Sequence, residues 1–240
     1  MRPVIGALAG AAAIALAGQF GPALTVNSRL RRRLTPRLAG EGTPGHVALT
    51  FDDGPVPTST PAFLRALDEL GWRATFFMLG HEVRRAPALA AEVVAAGHEA
   101  AVHGDEHANL LRRTPTATWD DLRRGRDTVA WATGVQPRWF RPPYGILSGT
   151  SVIAARRLGL RPVLWTCWGR DWRAEATTCT VLDDVATELA PGGTILLHDY
   201  AASGSWRATV DSLPRLAGLL DELGVKVGPL AEHWPAVANG

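Results

Sequence analysis

Two adjacent carboxylates, Asp52 and Asp53, follow an apolar run over residues 46–51, and a Gly-Pro pair comes directly after them. Neighbouring like charges repel each other, so a fold keeps them at a strand end when a metal ion or an arginine compensates. The same segment is also ordinary turn chemistry. The pair therefore becomes a candidate for catalysis or metal binding only if other polar groups reach it.

Two histidines four residues apart, His103 and His107, are the best candidates for those other groups. If the loop that carries them turns like a helix, both imidazoles lie on one face and can reach the same ion. Asp53 would then add an oxygen ligand from the first loop. This donor set, with open positions, suits one divalent metal ion, Zn²⁺ first and Co²⁺ or Mn²⁺ as alternatives.

The elements that must position these groups begin at Gly45, where short β-type runs start to alternate with amphipathic segments. Seven strands are predicted, at His46–Phe51, Ala74–Met78, Glu99–Val102, Arg138–Phe140, Arg161–Thr166, Thr194–Leu197 and Val225–Val227. Helices are predicted at Thr60–Leu70, Ala86–Ala96, Thr118–Thr133, Ser151–Leu158, Thr180–Ala190 and Thr209–Leu223. This alternation is typical of a parallel sheet, and seven strands predict a distorted (β/α) barrel.

Barrel geometry gives the positions of the polar residues a meaning. In parallel β/α barrels the site is assembled from the loops that follow the strands, at one mouth. Arg141 and Tyr144 follow the fourth predicted strand, Asp171 and Trp172 the fifth, and His198 the sixth. We therefore expect polar groups that are distant in sequence to converge at one end of the barrel.

This ordered set of motifs resembles the polysaccharide deacetylase family, the NodB-homology domain of carbohydrate esterase family 4. The motifs are Thr50-Phe51-Asp52-Asp53-Gly54-Pro55, His103-Gly104-Asp105-Glu106-His107, Arg141-Pro142-Pro143-Tyr144, Asp171-Trp172 and Leu196-Leu197-His198-Asp199. The resemblance implies a metal-dependent hydrolase that removes N-acetyl or O-acetyl groups from a polysaccharide such as peptidoglycan or a chitin-like polymer. It gives Asp53, His103 and His107 the role of metal ligands.

Amide hydrolysis also needs a base and an acid. Asp52 is the candidate base that takes a proton from metal-activated water, and Arg141 would orient it through a bidentate pair or form a plain structural salt bridge. His198 is the candidate acid that protonates the leaving amine. Burial at a strand end would depress its pKa unless a carboxylate opposes this, and Asp171 is the matching partner.

The resemblance assigns the substrate contacts as well. Tyr144 occupies the family's position for the backbone N–H that holds the oxyanion. Leu196 corresponds to the apolar wall for the acetyl methyl group, although a strand leucine is expected in the core on any reading. Trp172, with Trp168 and Trp206 nearby, could stack on sugar rings or simply fill the core.

Two positions depart from the family pattern. Gly104 stands where the family usually has a serine or threonine after the first histidine, and that hydroxyl normally braces the loop. Trp168 stands where the family commonly has an aspartate, three residues before Asp171. We therefore expect a less rigid metal loop and an altered substrate groove.

The first 40 residues differ in composition from the rest of the 240-residue chain. They hold six arginines and no acidic residue, whereas 19 basic residues face 23 acidic ones from Glu41 onward. A mildly acidic domain gives no support to nucleic-acid binding. We divide the chain into an N-terminal apolar signal or anchor with an Arg-rich linker, residues 1–40, and a catalytic domain, residues 41–240, and we expect a monomer.

An apolar run from Val4 to Ala17 makes this N-terminal segment a membrane-directed one. Ala15-Leu16-Ala17 has the form of a signal-peptidase site, whereas the arginines at 29–37 favour retention on the cytoplasmic side. We expect an exported or membrane-anchored protein of the cell envelope, with a cytoplasmic membrane-surface location as the alternative. The arginines would lie at the lipid surface, and a chain that begins near Glu41 would be fully active.

The remaining cysteines and histidines carry little functional signal. Cys167 and Cys179 could form one disulfide or remain two separate buried thiols. Four histidines outside the motifs are expected to be structural. They are His46, His81, His98 and His233.

Two other functions remain open at the level of sequence. The first is a related C–N hydrolase that acts on a small amide or imide. The second is a non-catalytic carbohydrate-binding barrel at the membrane, which the adjacent Asp52 and Asp53 argue against because binding alone needs no base.

Overall fold

Eight parallel strands form one sheet within residues 13–234, the part of the chain that the computed structural model describes. The strands are β1 His46–Asp52, β2 Thr75–Met78, β3 Glu99–Val102, β4 Trp139–Phe140, β5 Arg161–Pro162, β6 Cys167–Trp168, β7 Thr194–His198 and β8 Lys226–Gly228. They are ordered β5-β4-β3-β2-β1-β7-β6, and β8 pairs with the first part of β1. The predicted distorted (β/α) barrel is confirmed.

Helices connect the strands and cover the outside of the sheet. Residues 13–20 form α1, and the others are α2 Ser28–Leu34, α3 Thr60–Glu69, α4 Gly80–Arg85, α5 Pro87–Ala95, α6 Pro115–Thr133, α7 Gly149–Arg157, α8 Thr178–Glu188, α9 Trp206–Glu222 and α10 Leu230–His233. The sequence did not predict α1, α2, α4 or α10. Five glycines at helix ends adopt left-handed backbone angles, which are common at a helix C-terminus. They are Gly71, Gly97, Gly134, Gly159 and Gly224.

The central strand β1 is buried along its whole length. Val47, Leu49 and Phe51 pack against the helical layer, whereas Ala48 belongs to a separate cluster inside the barrel. Because successive strand residues point to opposite faces, Asp52 shares the interior side with Ala48. The strand thus carries a carboxylate into the barrel at its carboxyl end.

The predicted strand Arg161–Thr166 is wrong in its extent. Only Arg161–Pro162 pairs with β4, and a separate strand, β6, begins at Cys167. In the segment between them, the carbonyls of Val163 and Leu164 accept hydrogen bonds from the guanidinium of Arg141. Residues 163–166 therefore bridge the two edge strands of the sheet.

The N-terminal segment packs on the barrel. The Leu164 N–H donates to the Leu38 carbonyl at 2.7 Å, and the Thr194 hydroxyl donates to the Gly40 carbonyl at 2.7 Å. Arg31 is only 3 % exposed, which contradicts the expectation that the whole 29–37 cluster faces lipid. The part of this segment around residues 38–40 therefore contacts the barrel directly.

The apolar run predicted to meet the membrane lies partly outside the described residues, since the description begins at residue 13. Among residues 13–234, no helix combines the length and apolar character that crossing a bilayer requires.

The two cysteines are both free thiols, so the disulfide alternative is wrong. Cys167 is buried in β6, as the other alternative expected, but Cys179 is exposed on α8.

The four non-motif histidines have local partners. His46 and His233 form a buried pair with 2.9 Å between their Nδ1 atoms, and the Nδ1 of His98 accepts the Ala74 N–H at 3.2 Å.

Candidate active site

The candidate base and acid lie on adjacent strands at the same level. Asp52 ends β1 and His198 ends β7, and the two are register partners in the parallel ladder. Parallel strands that pair in register bring their carboxyl ends to one edge. Two residues separated by 146 positions in the chain thus face the same mouth of the barrel.

Asp52 is held by Arg141, and both side chains are almost completely buried. The Nη1 atom of Arg141 donates to Asp52 Oδ1 at 2.7 Å and to the Thr50 hydroxyl at 2.8 Å. Burial raises the pKa of the Asp52 carboxyl above its usual range, and the guanidinium opposes that rise. The arrangement orients a carboxylate whose basicity is increased by its surroundings.

The expected bidentate geometry between Arg141 and Asp52 is wrong. The second terminal nitrogen of Arg141, Nη2, donates to the Leu164 carbonyl at 2.9 Å, not to the carboxylate. The guanidinium also lies 4.0 Å above the ring of Phe77. The Nε and Nη2 atoms of Arg141 donate to backbone carbonyls, so Arg141 does not donate a hydrogen bond to Asp52 Oδ2.

Asp53, His103 and His107 come together as a cluster with metal-ligand geometry. One donor atom from each residue lies within 4.8 Å of the others. Asp53 Oδ1 is 3.5 Å from His103 Nε2 and 3.6 Å from His107 Nε2. Among the described residues, the His, Cys, Asp and Glu side chains come close enough together to hold a metal ion in this cluster.

Two local features show that these donors fit a divalent cation. The His103 Nδ1–H donates to the Arg141 carbonyl at 2.9 Å, which leaves the lone pair on Nε2. Burial lowers the pKa of His103 to about 3, so its imidazole is neutral at physiological pH. Asp53 Oδ1 is buried without a hydrogen-bond donor in the described part of the chain, as a ligand oxygen would be.

The loop that joins the two histidines does not turn like a helix, yet both imidazoles reach Asp53. It is braced by Asp121 of α6, whose carboxylate accepts the N–H groups of Asp105 and Glu106 at 3.2 Å each. Gly104 has φ = +104°, and a Cβ there would lie 2.9 Å from Asp121 Oδ2. The Asp121 side chain thus occupies the space beside Gly104 and holds the loop where the family's hydroxyl would.

His198 is fixed by Asp171 through both its ring and its backbone. Its Nδ1 lies 2.7 Å from Asp171 Oδ1, and its backbone N–H donates to Asp171 Oδ2 at 2.8 Å. Burial alone would lower the pKa of His198, but the Asp171 carboxylate, with Asp53 and Asp52, raises it to about 10. The imidazolium is therefore the dominant form at neutral pH, as a general acid requires.

Tyr144 lies at the rim with a left-handed backbone, φ = +60° and ψ = 7°. A tyrosine at positive φ is strained, and such strain clusters at functional sites. Its ring packs edge-on against His107 with 4.5 Å between centroids. The strained peptide is thus placed beside the metal-binding cluster.

A cavity of about 390 Å³ opens over the candidate base, the candidate acid and the metal-binding cluster. It is lined by Asp52, Asp53, His103, His107, Tyr144, Gly145, Trp165, Trp168, Trp172, Leu196 and His198. Leu196 supplies a buried apolar wall, and Trp172 is 40 % exposed with its ring against His198. Trp206 is not part of this wall because it packs on the helical core cluster at the start of α9.

Sequence reasoning missed two residues of the site. Trp165 was included in a predicted strand, yet its ring lies 5.5 Å from that of Trp168 in the cavity wall. Asp121 sits in the middle of an amphipathic helix, where an acidic residue is expected on the solvent face. The only available signal was indirect, because Gly104 lacks the usual hydroxyl and something else had to brace the loop.

Comparisons with known proteins agree with this geometry. The family model described as polysaccharide deacetylase matches residues 39–163. A chitooligosaccharide deacetylase of Bradyrhizobium is 34 % identical over 196 residues, which cover 78 % of this chain and 89 % of that protein. A peptidoglycan-N-acetylglucosamine deacetylase of Bacillus cereus is 32 % identical over 190 residues, 78 % of this chain and 86 % of that one.

Solved structures give the same result. A family 4 carbohydrate esterase of Streptomyces lividans, in complex with acetate, is 33 % identical to this chain and has a TM-score of 0.70. The match covers 77 % of this chain and 92 % of that one. A mutant of a Bacillus anthracis pseudoenzyme of the same family, with restored enzymatic activity, is 28 % identical and has a TM-score of 0.72. The match covers 79 % of this chain and 67 % of that one. This chain belongs to the polysaccharide deacetylase family, carbohydrate esterase family 4. It is a hydrolase of carbon–nitrogen bonds other than peptide bonds.

Proposed function

We propose that this enzyme removes N-acetyl, or O-acetyl, groups from an N-acetylglucosamine polymer such as peptidoglycan or a chitin-like chain. The observation that carries the proposal is the convergence of an Arg-held carboxylate, a carboxylate-held imidazolium and a three-donor cluster on one cavity. Base, acid and metal donors together are what amide hydrolysis requires.

Asp53, His103 and His107 would hold one divalent ion, with Zn²⁺ as the first candidate and Co²⁺ or Mn²⁺ as alternatives. When bound, such an ion supplies Lewis-acid activation of water and of the acyl carbonyl. The neutral His103 imidazole and the unpartnered Asp53 oxygen support this assignment.

The remaining steps use the chain's own groups. Asp52 takes the proton of the attacking water, while Arg141 keeps its carboxylate in place. The Tyr144 backbone N–H helps to hold the developing oxyanion. His198, protonated and oriented by Asp171, gives its proton to the departing amine nitrogen.

The cavity wall suits an N-acetylated sugar. Leu196 offers an apolar surface to the acetyl methyl group, and Trp172 offers a flat face to a sugar ring. Trp168 extends this wall, since its ring lies 4.8 Å from that of Trp172.

Purified protein should be assayed side by side on chitin oligomers, peptidoglycan and small amides, after chelation and after metal add-back. We expect metal-dependent release of acetate from the polymers. Turnover of small amides alone would favour the alternative C–N hydrolase, and binding without turnover would favour a carbohydrate-binding barrel.

The metal assignment has its own test. The His103→Ala and His107→Ala proteins should each lose bound metal, as measured by elemental analysis, whereas His98→Asn, remote from the cluster, should keep it. Full metal content and full activity in both alanine variants would make the assignment wrong.

We also propose that the N-terminal segment brings the enzyme to the membrane of the cell envelope. Large apolar side chains are exposed there beside exposed arginines, a pattern that suits an anionic lipid surface. They are Ile14, Leu16, Phe20, Leu24, Val26 and Leu34. Cell fractionation tests this, and recovery of the full-length protein entirely in the soluble cytoplasm would contradict it.

A further inference from the structure

Two consecutive backbone carbonyls, those of Leu164 and of the cavity-lining Trp165, each accept a hydrogen bond from a buried arginine. The Leu164 carbonyl accepts from Arg141 Nη2 at 2.9 Å, and the Trp165 carbonyl accepts from Arg31 Nη2 at 2.6 Å. Arg141 comes from the end of β4, whereas Arg31 comes from α2, outside the family-model match. The segment that bridges β5 and β6 is therefore fixed from both sides.

Arg31 differs from the other arginines of its helix. Its guanidinium is buried and lies 5.3 Å from the Trp165 ring centroid, and its Nη1 donates to the Thr25 carbonyl at 2.9 Å. The neighbouring Arg32 and Arg33 are exposed. Burial, with the nearby Arg141 cation, lowers the pKa of Arg31 to about 10, which still leaves it charged at neutral pH.

Trp165 connects this arginine to the site. Its ring lines the cavity and lies 5.5 Å from the Trp168 ring. A Cβ on Gly145 would lie 2.7 Å from the Trp165 ring, so the ring rests directly against the residue that follows Tyr144. Movement of Trp165 would therefore disturb both the aromatic wall and the strained Tyr144 peptide.

We propose that Arg31 is a positioning residue that sets the place of Trp165, and that Arg31 and Gln19 tie the N-terminal segment into the catalytic unit. Further contacts support this, because Gln19 Oε1 accepts from the Thr150 N–H at 3.1 Å and from its hydroxyl at 2.9 Å. The inference rests on the proposed deacetylase function. It reverses the expectation from sequence that a chain beginning near Glu41 is fully active.

The decisive variant is Arg31→Met, which keeps much of the apolar stem but removes the charged donors. Its matched control is Arg32→Met, the same change at the exposed neighbour. We expect Arg31→Met to lower kcat/KM for an acetylated chitin oligomer by about 10–100-fold, mainly through KM, because a misplaced wall residue does not touch the reacting atoms. Arg32→Met should match the wild type.

Two further measurements separate positioning from general destabilisation. Arg31→Met should change tryptophan emission and quenching by acrylamide while metal content stays at the wild-type level. In a Trp165→Ala background, Arg31→Met should add little to KM, because the residue through which it acts is gone. Equal, independent losses in both backgrounds would overturn the proposal, as would wild-type KM and emission in Arg31→Met.

If Arg31→Met fails to fold, Arg31→Lys decides, because it keeps the buried charge but offers no planar fork. A raised KM with altered emission supports the proposal, and wild-type values for both overturn it. Should the wild-type enzyme lack deacetylase activity, the proposed function fails by itself. The emission and quenching measurements would then still report whether Arg31 holds Trp165.

Discussion

The Asp171 carboxylate binds His198 at two points, the ring Nδ1 at 2.7 Å and the backbone N–H at 2.8 Å. One side chain therefore sets both the orientation of the His198 ring and the position of the strand end that carries it. The Thr209 hydroxyl donates to the same carboxylate at 2.9 Å, which fixes Asp171 in turn. Among the carboxylates that raise the pKa of His198, Asp171 therefore has the largest effect.

Asp171→Asn should therefore move the alkaline limb of the kcat/KM profile to lower pH. In the wild type, His198 stays protonated until the pH approaches its raised pKa of about 10. Without the carboxylate, the effect of burial lowers the pKa of His198, and the alkaline limb of the kcat/KM profile should move to lower pH by about one unit or more. Asp211→Asn, an exposed change on α9, is the control, and identical limbs in all three proteins would contradict the assignment.

The same pKa shift predicts how stability depends on pH. Because the folded pKa of His198 lies above the ordinary value near 6.5, its stabilising contribution is complete below about pH 6.5 and is lost as the pH rises through about 10. The difference in melting temperature between the wild type and Asp171→Asn should thus narrow across this range. Thermal unfolding at a series of pH values measures it.

Asp52→Asn should keep the metal but lose turnover. The amide cannot accept a proton, and a lost general base costs about 10²–10⁴-fold in rate. Asp53→Asn, by contrast, should lose metal as well as activity, which separates the two neighbouring carboxylates. Near-normal turnover in Asp52→Asn would rule out its role as the base.

His198→Ala should affect amide substrates more than activated esters. An amine is a poor leaving group that needs protonation, whereas a phenolate leaves without it. We expect metal content to remain normal and the ratio of amide to ester turnover to fall. Equal losses on an N-acetyl substrate and on a phenyl acetate would argue against His198 as the acid.

Asp121→Ala should weaken metal binding without removing a ligand. The variant leaves the Asp105 and Glu106 N–H groups unbraced, and losses of such outer contacts cost about 10–100-fold in metal affinity. Asp120→Ala, at the half-buried neighbouring position, should bind metal like the wild type. Competition with a metal-binding dye would measure both, and equal affinities would contradict the brace.

The amino-acid sequence by itself determined the barrel and the main groups of the site. Strand-forming runs, helix-ending glycines and short motifs are local patterns, and barrel geometry sends every strand end to the same mouth. For that reason Asp52, Asp53, His103, His107 and His198 could be placed together without coordinates.

Only the tertiary structure decided which distant side chains support that site. Asp121 braces a loop from another helix, and Arg31 reaches Trp165 across 134 positions of the chain. Such contacts depend on how elements pack, and no local pattern distinguishes a buried arginine or aspartate from exposed neighbours of the same type. The interruption of the predicted strand at residues 163–166 was also a matter of tertiary packing. There the Val163 and Leu164 carbonyls accept hydrogen bonds from Arg141, which no local sequence pattern indicates.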